Sequence, residues 1–111
     1  MSETKLKNIF KGISGNIHNE VFETILQNDK IKLERIISKG HITPVGKWYD
    51  QDFDEWLILL SGKAILSFMD QAENITLIPG DYMLIEAHKK HRVEYTSYDE
   101  ETIWLTLHIN K

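Results

Sequence analysis

The stretch Glu55-Trp56-Leu57-Ile58-Leu59-Leu60-Ser61-Gly62-Lys63-Ala64-Ile65-Leu66-Ser67-Phe68-Met69 decides the fold class. It consists of two runs rich in branched and aromatic residues, parted by a short polar insert with glycine at its centre. Strand side chains alternate between faces. Glu55, Leu57 and Leu59 therefore share one face, and Trp56, Ile58 and Leu60 share the other. Both faces are apolar beyond the first residue, which calls for cover on both sides. One side is a barrel interior. The other needs a second layer, an N-terminal arm or another subunit, and this is the ground for expecting a homodimer. In the insert, Gly62 supplies the positive φ that a reversal between two strands requires.

Outward from this stretch the same rhythm continues, with strand-like runs every 8–12 residues. Strands are expected at Val21–Gln27, Ile31–Ser38, Lys47–Asp50, Glu55–Leu60, Lys63–Met69, Asn74–Ile78, Tyr82–Ile85, His91–Thr96 and Thr102–Ile109. Asn28-Asp29-Lys30 and Pro79-Gly80-Asp81 mark turns between them. Residues 19–27 also admit a short helix, since Val21 and Ile25 share a helical face, but the strand reading is kept. In the run from His91, period two puts His91, Val93 and Tyr95 on the inner face and Arg92 and Glu94 on a wet one. In the last run, Trp104, Thr106 and His108 lie opposite the uniformly apolar Ile103, Leu105, Leu107 and Ile109. A face combining an indole, a hydroxyl and an imidazole suits a ligand pocket. Residues 1–19 are polar and read as an arm, with Leu6, Ile9 and Phe10 as anchors; residues 20–111 read as one domain.

The 111 residues fit one domain, and a hydrophobic share of 41% is enough for a core. Thirteen basic and seventeen acidic residues give a charge of −4 without any basic concentration, which argues against nucleic acid. With no cysteine, disulfides and thiolate metal sites are excluded, so any metal must sit on oxygen and imidazole nitrogen. No run approaches the roughly 20 apolar residues that span a bilayer, and the charged N-terminal segment does not read as a signal peptide. The expected location is the cytoplasm, with no membrane partner.

The stretch from Gly40 to Ile109 resembles the cupin superfamily, and within it a subgroup of small bacterial single-domain cupins. Glu55, six residues, then Gly62 fits the end of the first cupin motif, in which His-x-His stands three or four residues before the glutamate. Gly80, then Glu86, Ala87 and His88, then His91 fits the frame of the second. The departures are specific. In a four-residue frame the motif histidines fall on Trp48 and Asp50; in a three-residue frame they fall on Tyr49 and Gln51. Glu86, His88 and Tyr95 stand where the second motif has proline, glycine and asparagine. The resemblance implies an all-β double-stranded β-helix, a jelly-roll barrel holding a small polar ligand and a divalent metal ion.

On that resemblance, Glu55 and His91 are the expected catalytic pair and the first metal ligands, with Asp50 and His88 completing the set. One or two imidazoles with two carboxylates suit Mn²⁺, Fe²⁺, Zn²⁺ or Ni²⁺. His41, Trp48, Tyr95, Trp104 and His108 are the expected pocket residues. Without a metal, Glu55 and His91 in one cavity would still make an acid–base pair. The function classes are thus a metal-dependent oxygenase or isomerase acting on a small metabolite, a non-catalytic small-ligand-binding or sensory module, and a purely structural subunit. There is no phosphate loop and no nucleophile elbow.

Overall fold

The computed structural model describes residues 4–13 and 17–110; residues 1–3 and 14–16 of the expected arm, and residue 111, lie outside the described residues. Among the described residues eight strands follow one another: β1 (Val21–Gln27), β2 (Ile31–Ser38), β3 (Asp54–Ser61), β4 (Ala64–Phe68), β5 (Ile75–Leu77), β6 (Tyr82–Ile85), β7 (His91–Thr96) and β8 (Thr102–Ile109). Among the described residues there is no helix. The helical alternative at 19–27 gives way to β1, which pairs antiparallel with β2 from Val21↔Ile37 to Gln27↔Lys32. The turn between them is held by the Asn28 side chain, whose Oδ1 accepts from the N–H groups of Lys30 and Ile31 at 2.8 and 2.9 Å.

The expected strand Lys47–Asp50 is not formed. Only Tyr49 makes an isolated bridge, to His91, through N–H···O bonds of 2.7 and 3.1 Å. A turn closed by Lys47 N–H on the Pro44 carbonyl bends the chain just before it. Further back, the Thr43 hydroxyl rather than a backbone carbonyl accepts from Val93 N–H, so no ladder continues along the edge of β7.

Two antiparallel sheets face each other, β1-β2-β8-β3-β6 and β5-β4-β7, in a jelly-roll barrel. The chain passes from the large sheet to the small one at Gly62, whose φ is +82°. A Cβ there would lie 2.4 Å from Thr102 Oγ1, so the crossing needs glycine for both conformation and space. The core consists of Leu57, Leu59, Ala64, Leu66, Phe68, Leu77, Ile85 and Trp104. Each large side chain among them contributes about 1.5–3 kcal/mol by leaving water. These residues come mostly from β3 to β6 and fill that side of the barrel. The facing stretches of β2, β8 and β7 carry polar side chains instead, and there the barrel stays hollow.

On β3 the inner face is Glu55, Leu57 and Leu59, all buried, while Trp56, Ile58 and Leu60 are only half-covered. The cover expected on both sides is therefore incomplete within one chain. Part of the N-terminal segment does lie on the barrel. The Arg35 guanidinium donates to the carbonyls of Ile9 and Lys11 at 3.0 and 2.6 Å and to both carboxylate oxygens of Glu23.

On β7 the alternation breaks. Leu66 pairs with Val93 but Ile65 with Tyr95, which leaves Glu94 as a bulge. Tyr95 is thereby turned to the outer face, where it meets Tyr98 edge-on. Arg92 is not on a wet face either. It is buried, with its guanidinium donating to the carbonyls of Thr43, Pro44 and Lys47.

Candidate functional site

The hollow is a cavity of about 110 Å³, lined by Glu20 and Phe22, by Glu34 and Ile36 of β2, by Tyr49 and Gln51, by Glu55 and Leu57 of β3, by Leu66, by His91 and Val93 of β7, and by Trp104, Thr106 and His108 of β8. The period-two pattern explains the wall: Glu34 stands opposite Thr106, and Glu55 opposite His108.

At its centre Glu55 is held between two imidazoles. His108 Nε2 stands 3.2 Å from Glu55 Oε2, and His91 Nε2 stands 3.7 Å from Oε1. Glu55 is only 7% exposed and His91 5%. His91 Nδ1 lies 2.9 Å from the Lys89 carbonyl, which can only accept, so Nδ1 carries the hydrogen and Nε2 is turned to Glu55. Phe53 stacks on the His108 ring with centroids 4.4 Å apart and fixes its plane. Burial alone would raise the Glu55 carboxyl. Hydrogen bonding by His108, with the positive charge that His108 and His91 can carry, outweighs burial and holds it below the ordinary carboxylate range.

Around this centre lie groups that sequence reasoning did not single out. Glu34 is buried, 3.3 Å from Lys32 Nζ and 3.8 Å from His108 Nε2. Glu20 accepts from the Ser38 hydroxyl. Burial and then the Glu20 charge push the Tyr49 phenol up. Glu34 gave little signal, because Lys32 and Arg35 share its strand and leave it one charged residue among three. Glu20 gave none, because it precedes β1 and reaches the cavity only through the fold.

Of the expected site residues, Glu55, His91, Trp104 and His108 converge on the cavity and the others do not. Asp50 and His88 pair with each other at the surface, Oδ1 to Nδ1 at 2.9 Å, with His88 in the left-handed region at φ 65°. His41 is tied to backbone at both nitrogens: Nδ1 accepts from Lys39 N–H, and Nε2 lies 2.9 Å from the His18 carbonyl. Trp48 packs under the Arg92 guanidinium at 5.9 Å, outside the cavity. Tyr95 is on the outer face for the reason given above.

The chain is similar to a protein of Ralstonia eutropha JMP134 provisionally named a mannose-6-phosphate isomerase. The two are 35% identical over 97% of this chain and 100% of that one, with a TM-score of 0.93. The chain belongs to the cupin superfamily. A cupin superfamily protein of Desulfitobacterium hafniense DCB-2 matches all of this chain and 94% of its own, at 20% identity and a TM-score of 0.76. An RmlC-like cupin with a double-stranded β-helix fold from Methanocaldococcus jannaschii matches 88% of this chain and 86% of its own, at 14% identity and 0.68. At those identities the last two likenesses concern the fold alone. No family model matches the chain, and no curated protein does.

In this cupin the structure also chooses between the two motif frames. Tyr49 and Gln51 line the cavity, whereas Trp48 and Asp50 do not, so the three-residue frame is the spatially correct one. Two imidazole positions of the family's first motif are thus taken by a phenol and a neutral amide, which are weak metal donors beside imidazole. Among the described residues, no group of three or more His, Asp and Glu side chains stands in an arrangement that could hold a metal ion. The residues present at these positions do not fit the family's metal site.

Proposed function

We propose that this cupin binds a compact polar metabolite in its barrel cavity and moves a proton on it through Glu55, His91 and His108 without a resident metal. One observation carries the reading: a buried carboxylate held ionised between two imidazoles at the wall of a small cavity. A carboxylate and an imidazole on one wall can take a proton from one atom of a bound molecule and return one to its neighbour. That is the chemistry of moving a carbonyl along a hydroxylated chain. The isomerase name given to the Ralstonia eutropha relative supports the same reaction class.

The test follows exchange of carbon-bound hydrogen for deuterium by NMR in D₂O. The protein is incubated with small hydroxy-aldehydes and hydroxy-ketones, and with mannose and mannose 6-phosphate, with a chelator present. Exchange that persists under chelation and disappears in Glu55→Gln supports the proposal. Exchange that the chelator abolishes and Mn²⁺, Fe²⁺, Zn²⁺ or Ni²⁺ restores overturns the metal-free part. Saturable binding without exchange moves the reading to a non-catalytic ligand-binding module.

A further inference from the structure

The outer face of the large sheet carries an apolar row that runs unbroken from edge to edge. Leu26 of β1 stands opposite Leu33 of β2, Leu33 opposite Leu107 of β8, Leu107 opposite Trp56 of β3, and Trp56 opposite Leu84 of β6. Direct partners across antiparallel strands project from the same face. In the same strand order, the adjoining row is Glu23, Arg35, Leu105, Ile58 and Tyr82. Its two charges are paired with each other, and Arg35 also holds the carbonyls of Ile9 and Lys11. Beyond that pair, both rows are aliphatic and aromatic. Leu26, Leu84 and Tyr82 are 55%, 53% and 67% exposed, while Leu33, Leu105, Leu107, Trp56 and Ile58 are half-covered. A contiguous apolar surface of this kind marks an interaction site.

The N-terminal segment has the converse deficit. Residues 4–8 are exposed throughout, and Leu6 is 99% exposed between Lys5 and Lys7. The segment stands off β1 across a groove of about 900 Å³ whose walls include Leu6, Ile9 and Ile25. Leu6 thus has no seat on its own barrel.

We propose that the occupant of this face is a second copy of the chain, related by a two-fold axis, with the Leu6 end of each N-terminal segment packed on the partner. A face whose only charges cancel can meet itself across a two-fold axis without like-charge repulsion. The uncovered rows and the unseated leucine belong to one chain, so a symmetric pair satisfies each of them twice. Area points the same way. At about 4.8 Å between strands and about 7 Å between same-face neighbours, the two rows project only roughly 300–350 Å². A stable pair buries about 800 Å² on each partner. Side-chain relief and the two segments make up the remainder, which is why the segments take part. Alternation along the segment lets Leu6 pack while Lys5 and Lys7 stay in water.

The experiment is sedimentation velocity on the full chain across the micromolar range. The parent is expected to sediment as a dimer. Leu26→Lys/Leu84→Lys sets ammonium groups against an apolar face in both copies and should raise the dimer dissociation constant at least a hundredfold, with circular dichroism and urea unfolding showing the barrel intact. Leu6→Ser, on an exposed segment that cannot disturb the barrel, should raise it at least tenfold. Val45→Lys, at an exposed apolar residue away from both rows, should leave it within twofold. A parent that stays monomeric throughout the range overturns the proposal. So does a dimer indifferent to the double substitution, or one weakened as much by Val45→Lys. A dimer unchanged by Leu6→Ser overturns the part assigned to the segment.

Discussion

His108 Nε2 lies 3.2 Å from Glu55 Oε2, and the two residues are direct partners across the β8–β3 ladder. The contact is therefore built by strand register, and it fixes a carboxylate whose pKa is held low. A carboxyl depressed in the folded state contributes stability that is complete above its unfolded value, about 4.3 for glutamate, and is lost as pH falls through the lower folded value. Glu55→Gln is accordingly expected to be less stable than the parent by about 1.5–3 kcal/mol at pH 6–7, the range for a hydrogen bond to a charged group. The difference should shrink steadily below pH 4. Urea unfolding of both proteins from pH 3 to pH 7 reads this directly; a difference that stays constant to pH 3 would show that the carboxylate is not the group responsible.

The crossing between sheets gives a sharper prediction. Gly62 combines a φ of +82° with a position where Cβ would lie 2.7 Å from the Thr102 backbone and 2.4 Å from its Oγ1. Backbone cannot step aside as a flexible side chain can. Gly62→Ala should cost about 3 kcal/mol or more, the sum of a left-handed penalty and a steric one. Gly46 has a similar φ of +81° with nothing within 4 Å, so Gly46→Ala should cost only about 1–2 kcal/mol. Equal losses in the two variants, measured by urea unfolding, would refute the steric part of the account.

Arg35 ties the stretch around Ile9 and Lys11 of the N-terminal segment to the barrel. Arg35 reaches the carbonyls of Ile9 and Lys11 and the carboxylate of Glu23. Arg35→Met keeps most of the apolar stem and removes every one of those hydrogen bonds. Limited proteolysis should then cut at Lys7 and Lys11 much faster than in the parent, while the barrel itself remains resistant. Unchanged cleavage would mean that the segment is held by packing rather than by the guanidinium.

The strands were legible because alternation and turn chemistry agree along most of the chain: five of the eight have the bounds read from sequence, β1, β2, β6, β7 and β8. Glu55 and His91 were legible because motif spacing survives substitution around them. The choice between Asp50 and Gln51 was not, since a one-residue difference in frame reverses which side chain faces inward. Tyr95 was lost to the bulge at Glu94, which nothing in a single sequence announces. Lys47–Asp50 looks strand-like in composition, yet pairing there depends on the turn at Pro44, and that turn allows only the bridge at Tyr49. Glu34 shows the general difficulty: its role follows from register with Thr106 and His108, which is a property of the assembled sheet.

The Thr106 side chain is almost wholly enclosed, 1% exposed, and its hydroxyl makes no hydrogen bond within the described residues. A buried hydroxyl without a partner pays its desolvation and recovers nothing. Thr106→Val replaces that hydroxyl with a methyl of similar shape, so the variant should be as stable as the parent or more stable by up to about 1–2 kcal/mol. At an ordinary, partnered threonine such as Thr96, whose Oγ1 donates to the His41 carbonyl at 2.7 Å, the same change should cost about 1 kcal/mol or more. A loss of stability comparable to that of Thr96→Val would instead give the Thr106 hydroxyl a structural partner.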